Sequence, residues 1–431
     1  MKTDLLGLKI NTETRAQILA EIKKRLEKRE KTFIVTPYSE FFHKTYFDQE
    51  FKEILNSADY ALPDGISVLW LSYYLYMPLT LKNYYLKIIQ AFWQIFRTGF
   101  AAIFNKKLIK IIVPEKISGS DFFWDLAALA SENGYSIFLL GGFGDTPEAV
   151  AEKLRKKFPK IKIAGYSNRG PSDLSVIEKI NNAKCDILMV AYGPEKQERW
   201  IYENKNKFAA TVAIGLGGTF DYVAGKKRFA PKFIRSAGFE WLYRLLTQPK
   251  RATRIFHATL GFLNGALRYK VFANMPFREN AASVIINREN KILLAHRSVE
   301  KQNMDFPGTE HWQIPQGGIE RGEMPEKAVL REMKEGLGTD KFEIIGKMEK
   351  AYEYNWNLAR EKFFSRYTKT RGQRQTIFFL KFTGEDKDIK LDQREFSDYK
   401  WFTTEEIENK IYKARLPMFK LAMEKFKELK K

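Results

Sequence analysis

Glu332 and Glu335 stand three residues apart in a run of good helix formers, just after a glycine-bearing turn at 317–318. Residues at that spacing share one face of a helix. Two carboxylates projecting together suit Mg²⁺, which takes one or two carboxylates, keeps several waters and engages substrate phosphates. A metal so held clamps a diphosphate and activates a water, so the chemistry suggested is the hydrolysis of a pyrophosphate. A bare Glu-x-x-Glu has a plainer explanation, two solvated side chains with Gly336 or Gly338 ending the helix. What separates the readings is the company these residues keep: Gly317, Glu323, Arg331, Glu332, Met333, Glu335 and Gly338.

In this order and spacing the residues resemble the Nudix hydrolase box, which runs Gly, five residues, Glu, seven residues, Arg-Glu, an apolar residue, any residue, Glu-Glu, any residue, Gly. Gly336 stands where that family has the second Glu of the pair, normally a metal ligand. Trp312-Gln313-Ile314-Pro315-Gln316 before the box, and Arg371-Gly372-Gln373-Arg374-Gln375 with Glu395-Phe396 after it, resemble the subgroup of RNA 5′-pyrophosphohydrolases and dinucleoside polyphosphate hydrolases. There a late Glu, matched by Glu395, adds a carboxylate to the metal site. The resemblance therefore implies Mg²⁺ on Glu332, Glu335 and Glu395, with Glu332 catalytic and a nucleoside diphosphate or an RNA 5′ end as substrate. It covers about residues 279–425. Apolar runs at 282–286 and 292–295, on either side of an Asn-Arg-Glu-Asn turn, read as its first two strands.

A length of 431 residues leaves room for a second domain in the first 275. With one cysteine, Cys185, no intramolecular disulfide forms, and the first residues lack a charged-then-apolar signal pattern. A reducing cytoplasm is the expected home. The net charge is +21, and its distribution says more than its size. No acid occurs between Asp64 and Glu115, a span holding Lys82, Lys87, Arg97, Lys106, Lys107 and Lys110; between Lys226 and Arg278 the only acid is Glu240. Such segments attract phosphates of nucleic acid, nucleotide or anionic lipid, and composition does not choose among them.

Aromatic and aliphatic residues recur at three- and four-residue intervals through 84–104, which predicts an amphipathic helix with an aromatic face. Lys and Arg opposite Trp and Phe suit a helix lying in the interface of an anionic membrane. The alternative is a core-facing helix with a solvated basic face. A membrane-spanning helix is not expected, since the uncharged run 65–81 is short for a bilayer and contains Pro78.

Elsewhere in the first 275 residues strand and helix signals alternate. Apolar strands at 33–36, 136–142, 186–193 and 211–218 are separated by helical stretches near 147–158, 176–182 and 196–206. This predicts an α/β fold with a mostly parallel, Rossmann-like sheet. Ligands on such sheets bind beyond the carboxyl ends of the strands, where Gly141, Gly142, Gly193, Gly217 and Gly218 fall.

The segments LPDG at 62–65, GSD at 119–121, FLLGG at 138–142, GPEKQE at 193–198, GGTFDYVAGKKRFAPKFIR at 217–235 and GFEWLYRLLTQPKRATR at 238–254 resemble, in order and spacing, the WecG/TagA/CpsF glycosyltransferases of family 26. That resemblance covers roughly residues 1–255. It implies metal-independent, inverting transfer of an N-acetylmannosamine-type sugar from UDP to a polyprenyl-diphosphate-linked acceptor at the cytoplasmic membrane face. Asp64 then matches the base that takes the acceptor proton. Gln197, in the Lys-Gln-Glu motif near the active site, is expected to be catalytic with Asp64; Asp221 falls at the nucleotide base, and Thr36, Gly141, Gly142, Gly217 and Gly218 among the substrate contacts. Arg228, Arg235, Arg244, Arg251 and Arg254 match a basic segment that closes the site and meets the membrane, where guanidinium forks suit phosphate. Tyr38 replaces an Asn of that family, Lys116 replaces an Arg, and the segment 75–112 is longer than usual.

The expected architecture is a glycosyltransferase domain over 1–255, a linker over 256–278 and an α/β/α Nudix sandwich over 279–431. Two rivals remain open at this point. In one the second domain binds a nucleotide diphosphate without cutting it; in the other the basic surface holds RNA for removal of its 5′ pyrophosphate. The sequence leaves oligomeric state open, a homo-oligomer included.

Overall fold

The computed structural model describes residues 1–173, 175–227, 231, 234, 243, 252–298, 312–355, 370–412 and 415–429, the side chains of 252–258 and 429 excepted. The chain divides into two units, Met1–Val271 and Phe272–Lys431.

The first unit opens with a hairpin of β1 (Lys2–Leu5) and β2 (Leu8–Asn11), followed by α1 (Arg15–Glu27) and β3 (Thr32–Val35). Two short helices, α2 (Ser39–Thr45) and α3 (Gln49–Asn56), lead to β4 (Tyr60–Ala61), and then come α4 (Ile66–Tyr76) and α5 (Tyr84–Phe104). From α6 (Gly119–Asn133) the alternation is regular: β5 (Ser136–Gly141), α7 (Thr146–Lys157), β6 (Lys162–Ser167), α8 (Ser175–Ala183), β7 (Ile187–Ala191), α9 (Lys196–Asn204), β8 (Val212–Gly215) and α10 (Thr219–Val223). Strands β3 to β8 form one parallel sheet in the order β4-β3-β8-β7-β5-β6.

Alternate residues along each strand enter opposite cores. Phe33, Val35, Leu140, Leu188 and Val190 join one face with Phe41, Phe51 and Trp200, while Ile34, Leu139, Ile187, Met189 and Ile214 join the other with Ile22, Phe122 and Leu154. Both faces are therefore covered, the condition under which an all-parallel sheet is stable. Cys185, the single thiol, is free and buried beside this sheet, and burial pushes its pKa up to about 12.

The segment expected as a linker is largely a helix, α11 (Ala252–Ala273), and its buried Phe262, Ala266 and Val271 tie it to the first unit. Phe262 stacks at a tilt on Phe42 and Trp70. Apolar residues at helical spacing explain why this stretch is packed rather than extended.

The second unit holds an eight-stranded mixed sheet. Its strands are β9 (Arg278–Ile286), β10 (Ile292–Arg297), β11 (Trp312–Gln313), β12 (Gln316–Gly318), β13 (Phe342–Lys347), β14 (Tyr352–Asn355), β15 (Gly372–Phe382) and β16 (Phe396–Phe402). α12 (Pro325–Leu337) packs Ala328, Val329, Met333 and Leu337 on one sheet face. α13 (Thr404–Lys410) and α14 (Leu416–Leu429) cover the other with Ile407, Met418, Phe419 and Phe426. The result is the expected α/β/α sandwich. Asn287 closes the turn before β10 by accepting from Glu289 N at 3.1 Å and Lys291 N at 2.8 Å.

Candidate active sites

Because its strands are parallel, the first unit gathers the ends of β3, β4, β5, β7 and β8 along one edge. Thr36 follows β3, Asp64 follows β4, Gly141 ends β5 and Gly142 follows it, Gly193 follows β7, and Gly217 and Gly218 follow β8. The loop carrying Asp64 is fixed through its backbone: Leu62 N donates to Val35 O at 2.8 Å, Asp64 N to Pro37 O at 3.1 Å, and Ile117 N to Pro63 O at 2.9 Å. Gly65, at φ 100°, takes a conformation side chains rarely adopt and opens α4. Half-buried Asp64 accepts through Oδ2 from Gly119 N at 3.4 Å, the first residue of α6. A helix amino terminus favours a negative charge placed there. Thr36 Oγ1 approaches the same residue, 3.5 Å from where a Cβ on Gly119 would lie.

The neighbouring glycines serve close approach. A Cβ on Gly141 (φ 94°) would stand 2.8 Å from the Ala191 carbonyl carbon, so β5 and β7 meet tightly where they open into the site. Gln197 is buried, with Oε1 accepting from Gly217 N at 2.8 Å and Nε2 donating to Glu198 Oε1 at 2.7 Å. Both ends of its amide are thus engaged within the protein, which gives it the place of a positioning residue for the Gly217 loop. A Cβ on Gly215 would press on both side chains at 2.7 Å. Glu198 is fully buried and accepts through Oε2 from Glu195 N at 2.6 Å. Burial pushes its pKa up to about 7, against the opposing pull of its bond from Gln197 and of two backbone bonds. Residue order alone gives Glu198 no role; the signal for it is its place directly after Gln197.

Asp221 lies in α10 and pairs with Lys227. Next to it, Lys226 reaches back to Thr146 Oγ1 at 2.9 Å and Phe143 O at 3.2 Å, tying the loop after β8 to the loop after β5. Tyr38, the departure from the expected Asn, donates to Glu40 Oε2 at 2.9 Å. Arg228, Arg235, Arg244 and Arg251 lie outside the described residues, as does the side chain of Arg254, whose backbone is in α11.

Helix α5 departs from expectation in one respect. The side opposite its aromatic stripe is not basic: it carries Ala91, Gln94, Thr98 and Ala101, all buried. Trp70 Nε1 donates to Thr98 Oγ1 at 2.9 Å and Tyr74 OH to Ala91 O at 3.1 Å, so this polar, small-residue side is bonded to α4. The aromatic side faces outward; Trp93 is 69% exposed and Phe100 64%. No helix among the described residues is long and apolar enough to cross a membrane.

In the second unit Arg331 organises the acidic residues. Its Nε and Nη2 donate to the two oxygens of Glu323, each at 2.9 Å, and Nη2 also donates to Gly318 O at 2.9 Å. Nη1 donates to Glu332 Oε1 at 2.9 Å and lies 3.3 Å from Glu335 Oε2. The guanidinium holds the Glu323 pKa down to about 2. Glu332 is half-buried and shifted the other way, first by burial and then by the charges of Glu335 and Glu395, against the pull of Arg331. Its carboxylate lies directly over Gly317, where any Cβ would overlap it.

Gly336 is inside α12, and Gly338, at φ 68°, is the left-handed cap. Asp392 N donates to Gly336 O at 3.1 Å and Lys390 N to Leu337 O at 2.8 Å, so the 390–395 loop satisfies the last carbonyls of α12. That docking carries Glu395 over the glycine: its Oε2 lies 3.4 Å from where a Cβ on Gly336 would be. The side-chain space of the Glu absent from position 336 is thus shared by Glu395 and the ring of Phe396, 2.9 Å from the same point. Among the described residues no group of three His, Cys, Asp or Glu is placed so that it could hold a metal ion. Arg331 Nη1 contacts both Glu332 and Glu335. Two carboxylates with waters still match what Mg²⁺ takes, and all the donors are hard oxygens.

Residues 3–104 and 82–275 match the profile described as "Glycosyl transferase WecG/TagA/CpsF family", and residues 276–422 match the NUDIX domain. The two glycosyltransferase matches overlap over 82–104, the stretch occupied by α5. An N-acetylglucosaminyldiphosphoundecaprenol N-acetyl-beta-D-mannosaminyltransferase of Bacillus spizizenii is 31% identical over 231 residues, covering 53% of this chain and 77% of that protein. The Staphylococcus aureus protein of the same description is 29% identical over 259 residues, covering 59% of this chain and 88% of its own length. Among solved structures, the MutT protein of Methanosarcina mazei Go1 is 17% identical over 36% of this chain and 98% of its own, with a TM-score of 0.27.

Proposed function

Because the chain belongs to the glycosyl transferase WecG/TagA/CpsF family through residues 3–275 and carries a NUDIX domain over 276–422, we propose that it is a bifunctional enzyme. The first unit transfers N-acetylmannosamine from its UDP derivative to N-acetylglucosaminyl diphosphoundecaprenol, at the cytoplasmic face of the membrane. The second hydrolyses a nucleoside diphosphate-linked compound. The observation that carries the transfer reading is Asp64, a half-buried carboxylate at the glycine-lined carboxyl edge of a parallel sheet, held by an N–H at the start of α6.

In this reading the acceptor hydroxyl oxygen attacks the anomeric carbon, the bond from that carbon to the diphosphate oxygen breaks, and UDP leaves with the electron pair. The hydroxyl proton passes to Asp64. Gln197 keeps the Gly217 amide in place, and Gly193, where an added Cβ would meet nothing within 4 Å, leaves room for the diphosphate to approach. In the same reading Asp221 contacts the nucleotide base and Thr36 is a substrate contact.

In the second unit Glu332 and Glu335 would hold a divalent cation, with Glu395 adding negative charge beside them. Such an ion, when bound, neutralises the diphosphate and lowers the pKa of a coordinated water. Arg331 fixes the orientation of Glu332, and Gly317 leaves the space its carboxylate occupies. Incubating the full chain with UDP-N-acetylmannosamine and a short-chain acceptor should give the disaccharide lipid with inverted configuration. No transfer from this donor, or unaltered transfer by Asp64→Asn, would refute the reading.

A further inference from the structure

At 100° per residue the exposed positions Tyr85, Ile89, Phe92, Trp93, Phe96 and Phe100 fall within a stripe roughly 80–120° wide. A soluble helix of this composition normally turns such a stripe to the core and its small polar residues to water. Here the arrangement is reversed, and hydrogen bonds from Trp70 and Tyr74 hold the reversed side on α4. Around the stripe stand exposed Lys82, Arg97, Lys107 and Lys110, and no acid occurs between Asp64 and Glu115.

We propose that the outward stripe of α5 lies in the headgroup region of an anionic phospholipid leaflet and thereby holds Asp64 close to the membrane surface. A basic rim around an apolar stripe complements anionic lipid over hydrocarbon. A second copy of the chain would bring like charges together across the contact. Nucleic acid would engage the cations and stack on the aromatics, but it gives no use for Ile89 and the neighbouring exposed Leu86 and Ile103. The link to Asp64 is short and stiff: α4 begins at the residue after Gly65, spans roughly 16 Å, and is bonded to α5 from its middle onward. The placement of Asp64 rests on the transfer reading above; the membrane contact does not.

The test uses the full chain with vesicles of phosphatidylglycerol in phosphatidylcholine, and of phosphatidylcholine alone. Co-sedimentation should require the anionic lipid and weaken as salt rises. Trp93→Ser with Phe96→Ser should weaken it at least about tenfold at every salt concentration, since two large apolar groups no longer enter the interface. Transfer to a long-chain acceptor in vesicles should fall in parallel, and transfer to a water-soluble short-chain acceptor should not change. Vesicle binding unaffected by the double variant would overturn the proposal, as would a concentration-dependent dimer that the same variant abolishes. Vesicle binding without any transfer to the soluble acceptor would uphold the membrane contact and remove the transfer reading alone.

Discussion

Asp64 and Glu332 are both half-buried carboxylates at proposed active sites, yet they sit among different groups. Asp64 accepts a backbone N–H at the start of α6. Glu332 sits among Glu335 and Glu395 with one guanidinium shared between it, Glu335 and Glu323, and burial and its neighbours raise its pKa. The first is the group proposed to take the acceptor proton. The second gathers negative charge, and a divalent cation is proposed to bind there. The site proposed for transfer thus draws on a backbone donor, whereas the site proposed for hydrolysis calls for an added ion.

The comparison breaks most visibly at Asp64. Asp64→Asn should lower transfer by about 10² or more, the usual scale for a lost general base, while hydrolysis by the second unit is untouched. Chelation should do the reverse, abolishing hydrolysis and sparing transfer; loss of both activities on chelation would remove the contrast. Glu332→Gln should match the chelated enzyme in a pyrophosphatase assay, and Gly317→Ala should do likewise with every carboxylate still present, because its methyl group displaces Glu332. Equal hydrolysis by wild type and Gly317→Ala would deny Glu332 its role.

A smaller effect sharpens the same site. Gly336→Glu would restore the family's missing carboxylate, and in an open helix replacing the glycine would also add stability. Here the new Cβ meets the buried Phe396 ring at 2.9 Å, so the substitution should destabilise the second unit, by about 1–3 kcal/mol. Thermal unfolding that shows a gain would mean the ring yields easily.

The smallest test belongs to Glu198, the buried carboxylate behind Gln197. Its pKa is raised to about 7 in the fold, so the folded state holds its proton where the unfolded chain has lost it. The stability it lends is complete below the ordinary carboxylate value and is lost as pH rises towards about 7. Glu198→Gln should flatten that part of the stability curve for the first unit. Parallel curves for variant and wild type would show that the carboxylate titrates normally.

Much of this was legible in residue order. The apolar run at 33–36 predicts β3, which the structure places at Thr32–Val35, and the strand-helix alternation predicts the parallel sheet. The spacing of Glu332 and Glu335 predicts α12 and the face they share. Less legible were features that depend on what a helix packs against. Periodicity in 84–104 shows that α5 has two faces, but only the bonds from Trp70 and Tyr74 decide that the aromatic one points outward. Gly336 was ambiguous for a similar reason: whether it caps or continues α12 depends on the left-handed turn falling at Gly338, and its crowding depends on a loop some sixty residues later in the chain. The stretch 256–278 looked like a connection because it lies between two sets of motifs, whereas Phe262 and Ala266 are core residues.

Cys185 gives the molecule a practical property. Its thiol is buried and holds its proton far above neutral pH, so it is silent toward alkylating and fluorescent maleimide reagents in the folded state. A single Trp93→Cys substitution would therefore provide one addressable sulfur on the outer side of α5. An environment-sensitive dye attached there would report the depth and polarity around that helix, with no background from the remainder of the chain.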